Sequence, residues 1–133
     1  MPTTRSADIL RAAPYFPVTD VAASGSWYRD VLGFQCEYMA GDPPGFALYS
    51  RNGSALMLRR VGEQARIVPN DQQGGTWDVF FWVTDVDALF AELTDSGADI
   101  VYQPVVQPYH MKEFAVRDPS GYVLGFGQQW HAS

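Results

Sequence analysis

Few side chains in this sequence can make or break bonds on their own. There are two histidines, His110 and His131, and one cysteine, Cys36. A single cysteine excludes an internal disulfide and a multi-cysteine zinc or iron–sulfur site. His110 falls in the loop Gln107-Pro108-Tyr109-His110 and His131 in the tail, and neither has a partner at ligand spacing. The carboxylates are more informative. Asp78 lies in the strand-like run Thr76–Val83, where alternation puts Phe80 and Trp82 on the same face. A lone carboxylate among aromatic rings can orient a cation, the rings adding cation–π attraction. It can equally pair with Arg59 and be structural, or be raised by burial into a catalytic range. Glu113 and His110 are the other catalytic candidates.

The elements that must position these groups come in two copies. Val18-Thr19-Asp20-Val21 recurs 65 residues later as Val83-Thr84-Asp85-Val86. Each copy leads into an amphipathic helix closed by glycine, Gly33 or Gly97, and then into strands. Each half ends with a turn and a last apolar strand: Arg51-Asn52-Gly53 before Ser54–Leu58, and Asp118-Pro119-Ser120-Gly121 before Tyr122–Phe126. The fold class is therefore α+β, with two tandem βαβββ modules, 13–61 and 76–129, joined by the polar linker 62–75. Placed side by side, they make a curved mixed sheet around a concave pocket, with the helices on the outer face.

Within the first module the spacing predicts strands at Pro14–Val18, Phe34–Met39, Phe46–Ser50 and Ser54–Arg60. Its helix, Val21–Leu32, is capped by Asp20 and buries Trp27, Tyr28, Val31 and Leu32. Gly25 weakens that helix by about 1 kcal/mol. The two prolines of the first strand, Pro14 and Pro17, call for an edge or exchanged position. In the second module, strands are expected at Thr76–Val83, Ile100–Gln103, Met111–Arg117 and Tyr122–Gln128, with a helix capped by Asp85 and striped by Val86, Leu89, Phe90 and Leu93. Met1–Ala12 reads as an arm with a helical turn near Asp8–Ala12, and Trp130–Ser133 as a tail.

Bulk properties narrow the partners. The 133 residues are 47% apolar and 18% charged, which argues for one folded domain. The longest apolar run, Val79–Val83, is too short for a membrane span. Residues 1–13 lack a secretory signal's apolar core, so a cytoplasmic address is expected. A net charge of −6 with only Arg59-Arg60 adjacent excludes the basic patch that nucleic acid requires. The same acidity suits a cationic small ligand.

Trp27-Tyr28-Arg29-Asp30-Val31-Leu32-Gly33-Phe34, the run Glu113–Arg117, and the turn Asp118-Pro119-Ser120-Gly121, taken with the duplication, resemble the vicinal oxygen chelate superfamily: the glyoxalase, bleomycin-resistance and extradiol-dioxygenase group. The resemblance spans residues 13–129. It implies a single divalent metal on the concave face of the family's enzymes, and its ligand positions fall here on Ala13, Met57, Asp78 and Gly125. One carboxylate among four cannot hold such an ion, so no metal and no cofactor are expected. Alternation then points Tyr15, Met57, Arg59, Asp78, Phe80 and Trp82 into the pocket, with Tyr109 and His110 at its rim. Gly125 and Gly127 are expected to leave open space there.

The resemblance implies two classes of function. One is a metal-free protein like the bleomycin-resistance proteins, sequestering a cationic aromatic drug as a homodimer that exchanges the arm beside Pro14. The other is a glyoxalase- or dioxygenase-type lyase or isomerase with an atypical or absent metal site, using Asp78, Glu113 or His110. A scaffold dimer with a vestigial cavity is a third.

Overall fold

Asp20 and Asp85 start the two helices in the same way. Each sits in an extended backbone and accepts a hydrogen bond from the amide three residues on, Ala23 at 2.9 Å and Ala88 at 3.0 Å. The computed structural model describes residues 6–131 and arranges them as the expected pair of βαβββ modules. The first contains β1 Tyr15–Val18, α1 Val21–Asp30, β2 Gln35–Gly41, β3 Pro44–Arg51 and β4 Ser54–Arg60. The second contains β5 Val79–Trp82, α2 Val86–Asp95, β6 Asp99–Gln107, β7 Met111–Arg117 and β8 Val123–Gln129.

The strands form two four-stranded sheets, ordered β1-β4-β3-β2 and β5-β8-β7-β6. In each, the first strand runs parallel to the last and the other pairs are antiparallel. β1 is thus an edge strand, which suits Pro17 within it and Pro14 just before it. α1 ends two residues before the expected Leu32, although Leu32 is buried and Gly33 takes the left-handed conformation (φ 71°). β6 runs on past Pro104 to Gln107, because it is also an edge strand and slips register between Tyr102 and Val105. β5 begins three residues late, at Val79.

One core serves both modules. Phe16, Val18, Tyr28, Leu56 and Leu58 of the first pack in the same buried cluster as Phe114, Val116, Leu124 and Phe126 of the second. Phe16 stacks on Tyr122 at 4.3 Å, and Phe34 meets Phe81 edge-on at 6.1 Å. Gly25 has a packing role rather than being a mere weakness: a Cβ there would lie 2.2 Å from Tyr49 Oη, on a tyrosine that is buried. The linker is anchored as well, through buried Ile67 and the ion pair Arg117–Asp71 at 2.8 Å. Residues 8–12 are not helical. The expected arm's Met1–Arg5 and the tail's Ala132 and Ser133 lie outside the described residues.

Candidate functional site

On the second module the face opposite the helix is aromatic. β5 alternates as expected: Val79 and Phe81 join the core, while Phe80 and Trp82 point to the other face. Trp82 is 74% exposed and meets Phe80 edge-on at 5.1 Å. Their ladder partners are Gly125 and Gly127. The space beside these glycines is filled, contrary to expectation. A Cβ at Gly125 would lie 2.6 Å from Trp77 Cδ1, and one at Gly127 2.7 Å from Phe80 Cζ. The missing side chains let the two rings approach β8 closely.

Next to these rings is a recess of about 390 Å³. Trp77, Tyr102, Tyr109 and Glu113 line it. Glu113 stands on β7 opposite Gly127, on the face away from core Phe114, and is only 1% exposed. Its Oε1 accepts from the Tyr109 hydroxyl at 2.5 Å and, more weakly, from Tyr102 at 3.5 Å. Its Oε2 is buried with no hydrogen-bond partner among the described residues. Trp77 Nε1 donates to Tyr102 Oη at 2.8 Å, fixing both rings. The Tyr109 hydroxyl is pushed up to about 12, first by desolvation and then by its bond to Glu113 and that group's charge. Tyr102 is raised too, chiefly by desolvation. Both tyrosines therefore stay neutral donors to Glu113.

The other expected site residues are placed differently. Asp78 does not pair with Arg59. Its Oδ1 accepts from the Asn70 amide at 2.9 Å and its Oδ2 from the Val123 amide at 2.8 Å. It clasps the linker to β8 and is not presented as a free anion. Tyr15, Met57 and Arg59 lie on the first module's open face, where Arg59 stacks over Tyr15 at 5.6 Å and Phe46 links Tyr15 to Tyr38. Among the described residues no ladder or ring contact joins that face to Phe80 and Trp82, so one chain does not assemble a single pocket from them. His110 is an exposed turn residue with φ 64°, outside the recess. A positive φ favours glycine, and the His110 carbonyl accepts from the Trp130 amide at 2.8 Å.

Comparison with known proteins places this geometry. A family model described as Glyoxalase/Bleomycin resistance protein/Dioxygenase superfamily matches residues 9–126. The chain belongs to this superfamily. It is 27% identical to the bleomycin-binding protein of bleomycin-producing Streptomyces verticillus, solved with copper(II)-bleomycin, covering 95% of this chain and 99% of that one at a TM-score of 0.66. TioX from Micromonospora sp. ML1 is 26% identical, covering 88% and 97% at a TM-score of 0.70. The anthracycline biosynthesis protein DauV of Streptomyces sp. (strain C5) is 32% identical over 114 residues, 77% of this chain. The chain spans 40% of DauV's length.

The superfamily motifs have a structural job here. Tyr28, from the Trp27–Phe34 run, donates to Asp118 of the Asp-Pro-Ser-Gly turn at 2.6 Å, bonding one module to the other. The four superfamily metal positions do not fit a divalent ion. Asp78 is held by two backbone amides, the site beside Gly125 is occupied by Trp77 and Phe80, and Ala13 and Met57 offer no anionic donor. No group of three or more His, Cys, Asp or Glu converges elsewhere among the described residues.

A larger cavity, about 550 Å³, lies between the modules and is lined by residues that include Phe34, Phe81, Trp82, Leu89, Arg51 and Glu92. Its charged groups are already satisfied: Arg51 donates to the Leu32 carbonyl and to both oxygens of Glu92. We therefore place the candidate site at the smaller recess, where a buried carboxylate oxygen is left without a donor among the described residues. Sequence reasoning missed Trp77 and Tyr102. Trp77 precedes the first residue of β5, so strand alternation does not govern it, and the Tyr102/Val105 slip breaks alternation along β6. The signal that could have found them is the pair of glycines on β8, which had to receive rings from somewhere.

Proposed function

We propose that this protein binds an aromatic small molecule bearing a cationic or hydrogen-bond-donating group and sequesters it without transforming it, as an antibiotic-resistance protein does. The observation that carries the reading is the open face of the second module: a ligand-sized aromatic recess with a buried carboxylate in it, whose Trp77 wall packs on Phe80, which in turn meets the exposed Trp82 edge-on. Sites of this kind, apolar with a few convergent polar groups, are where small ligands bind. The resemblance to a protein solved with copper(II)-bleomycin supports the class of ligand, and the name of DauV adds anthracyclines to it.

The binding unit in this reading is a homodimer. The first module's aromatic face, with Tyr15, Tyr38, Phe46 and Arg59, and the second's, with Phe80 and Trp82, are separate half-sites within one chain. A second copy would bring one against the other. The arm supports this, since Ile9 is 95% and Leu10 92% exposed.

Calorimetric titration with daunorubicin (an anthracycline with a protonated amino sugar) and with bleomycin tests the proposal. Binding of at least one is expected, and Trp82→Ala should cost about 1–3 kcal/mol of its affinity through lost stacking and cation–π contact. Because Trp82 is so exposed, that variant leaves the core intact. Absence of binding by both compounds would sink the reading. Sedimentation equilibrium should report twice the chain mass.

A further inference from the structure

We propose that Glu113 is the charge-reading group of this site, and that its ligands carry an ammonium on a short alkyl arm next to an aromatic ring. This rests on the binding proposed above and specifies which atom recognises the ligand.

A carboxylate removed from water must be paired or hydrogen-bonded, and buried polar atoms left without a partner are rare enough to need a reason. Glu113 is buried and half satisfied. Tyr109 and Tyr102 converge on Oε1, while Oε2 has no donor among the described residues. The two tyrosines cannot both serve Oε1 well, since the Tyr102 contact is 3.5 Å against 2.5 Å for Tyr109. Tyr102 is instead held in place by Trp77. No Lys, Arg or His lines the recess. Lys112, the next residue, is directed elsewhere, to Asp87 at 2.8 Å and to the Trp130 ring at 4.4 Å.

What would complete Oε2 follows from the walls. The recess is bounded by the indole of Trp77 and the phenols of Tyr102 and Tyr109, surfaces that attract a cation and stack on an aromatic ring. An N–H donor that is also charged makes the stronger hydrogen bond to a carboxylate. At about 390 Å³ the recess admits a ring with a short arm. Asp78, the charge first expected to fill this role, has both oxygens on backbone amides.

The test uses benzylammonium and its neutral counterpart benzyl alcohol, titrated at pH 7 into the full chain. The readouts are the amide signals of Glu113 and Gly127 and the Trp77 indole N–H in proton–nitrogen NMR spectra. Benzylammonium is expected to shift these signals saturably and to bind at least about tenfold more tightly than benzyl alcohol, a difference of about 1.4 kcal/mol. Glu113→Gln should abolish that preference while leaving benzyl alcohol binding in place. Should Glu113→Gln fail to fold, Tyr109→Phe provides the second reading. It keeps the ring, removes the hydroxyl from Oε1, and should widen the preference for the cation. Equal binding of the two probes, a preference that survives Glu113→Gln, an unchanged preference in Tyr109→Phe, or no saturable shift would each overturn the proposal. If daunorubicin binds wild type and Glu113→Gln alike, this inference falls and the drug-binding reading stands. If benzylammonium docks through Glu113 but neither drug binds, the reverse holds.

Discussion

Replacing Tyr28 with phenylalanine should destabilise the protein more at alkaline than at acidic pH. The Tyr28 hydroxyl donates to Asp118 Oδ2 at 2.6 Å, and Oδ1 accepts from the amides of Ser120 and Tyr122, each at 2.9 Å. Asp118 is 5% exposed, and burial raises it to about 6 against the pull of those three bonds. Its unfolded value is about 3.9. Between these two values the native state holds a proton that the unfolded chain has released, so Asp118's contribution is fully present at lower pH and declines as pH rises through about 6. The span corresponds to on the order of 3 kcal/mol from this group. Losing the Tyr28 donor from ionised Asp118 should cost about 1.5–3 kcal/mol at pH 8, but about 0.5–1.5 kcal/mol at pH 4.5, where the native carboxyl is protonated. At pH 8 a 2 kcal/mol loss would lower Tm by roughly 6–8 °C. Phenylalanine keeps the ring contacts with Trp27 and Phe34. Urea unfolding of both proteins at the two pH values, with m-values compared, measures the difference. An equal loss at both, or a larger one at pH 4.5, would refute the assignment of Asp118 as a buried, raised carboxyl stabilised by Tyr28.

Gly25→Ala should lower stability by about 1–3 kcal/mol through overpacking against Tyr49, where helix propensity alone predicts a gain of about 1 kcal/mol; thermal melts give the sign. Asp78→Asn should cost about 1–3 kcal/mol of stability, because one of the two backbone amides loses its acceptor. The same variant should leave daunorubicin affinity unchanged, and a selective loss of cation binding would restore Asp78 as a ligand-reading charge. Elemental analysis after dialysis should find well under one divalent metal per chain, and a chelator should not move Tm.

Local regularities were legible in the sequence. The helix caps Asp20 and Asp85, the glycine stops, the edge placement of β1 and the inside–outside alternation of β4 and β5 follow from short-range chemistry that a few neighbouring residues decide. The repeat made the two-module architecture readable as well. The candidate site was legible only in part: the outward facing of Phe80 and Trp82 follows from alternation, and Glu113 stands out for its chemistry without its surroundings. What tertiary structure decided were contacts between residues far apart in sequence. Asp78 reads like a free anion until the amides of Asn70 and Val123 are brought to it. Gly125 and Gly127 read as empty space until Trp77 and Phe80 fold over them. Tyr28 and Asp118 read as separate motifs until the shared core joins the modules. Glu113 gains its meaning last, because an unpartnered oxygen is a property of everything that surrounds it, and only packing determines which donors arrive and which do not.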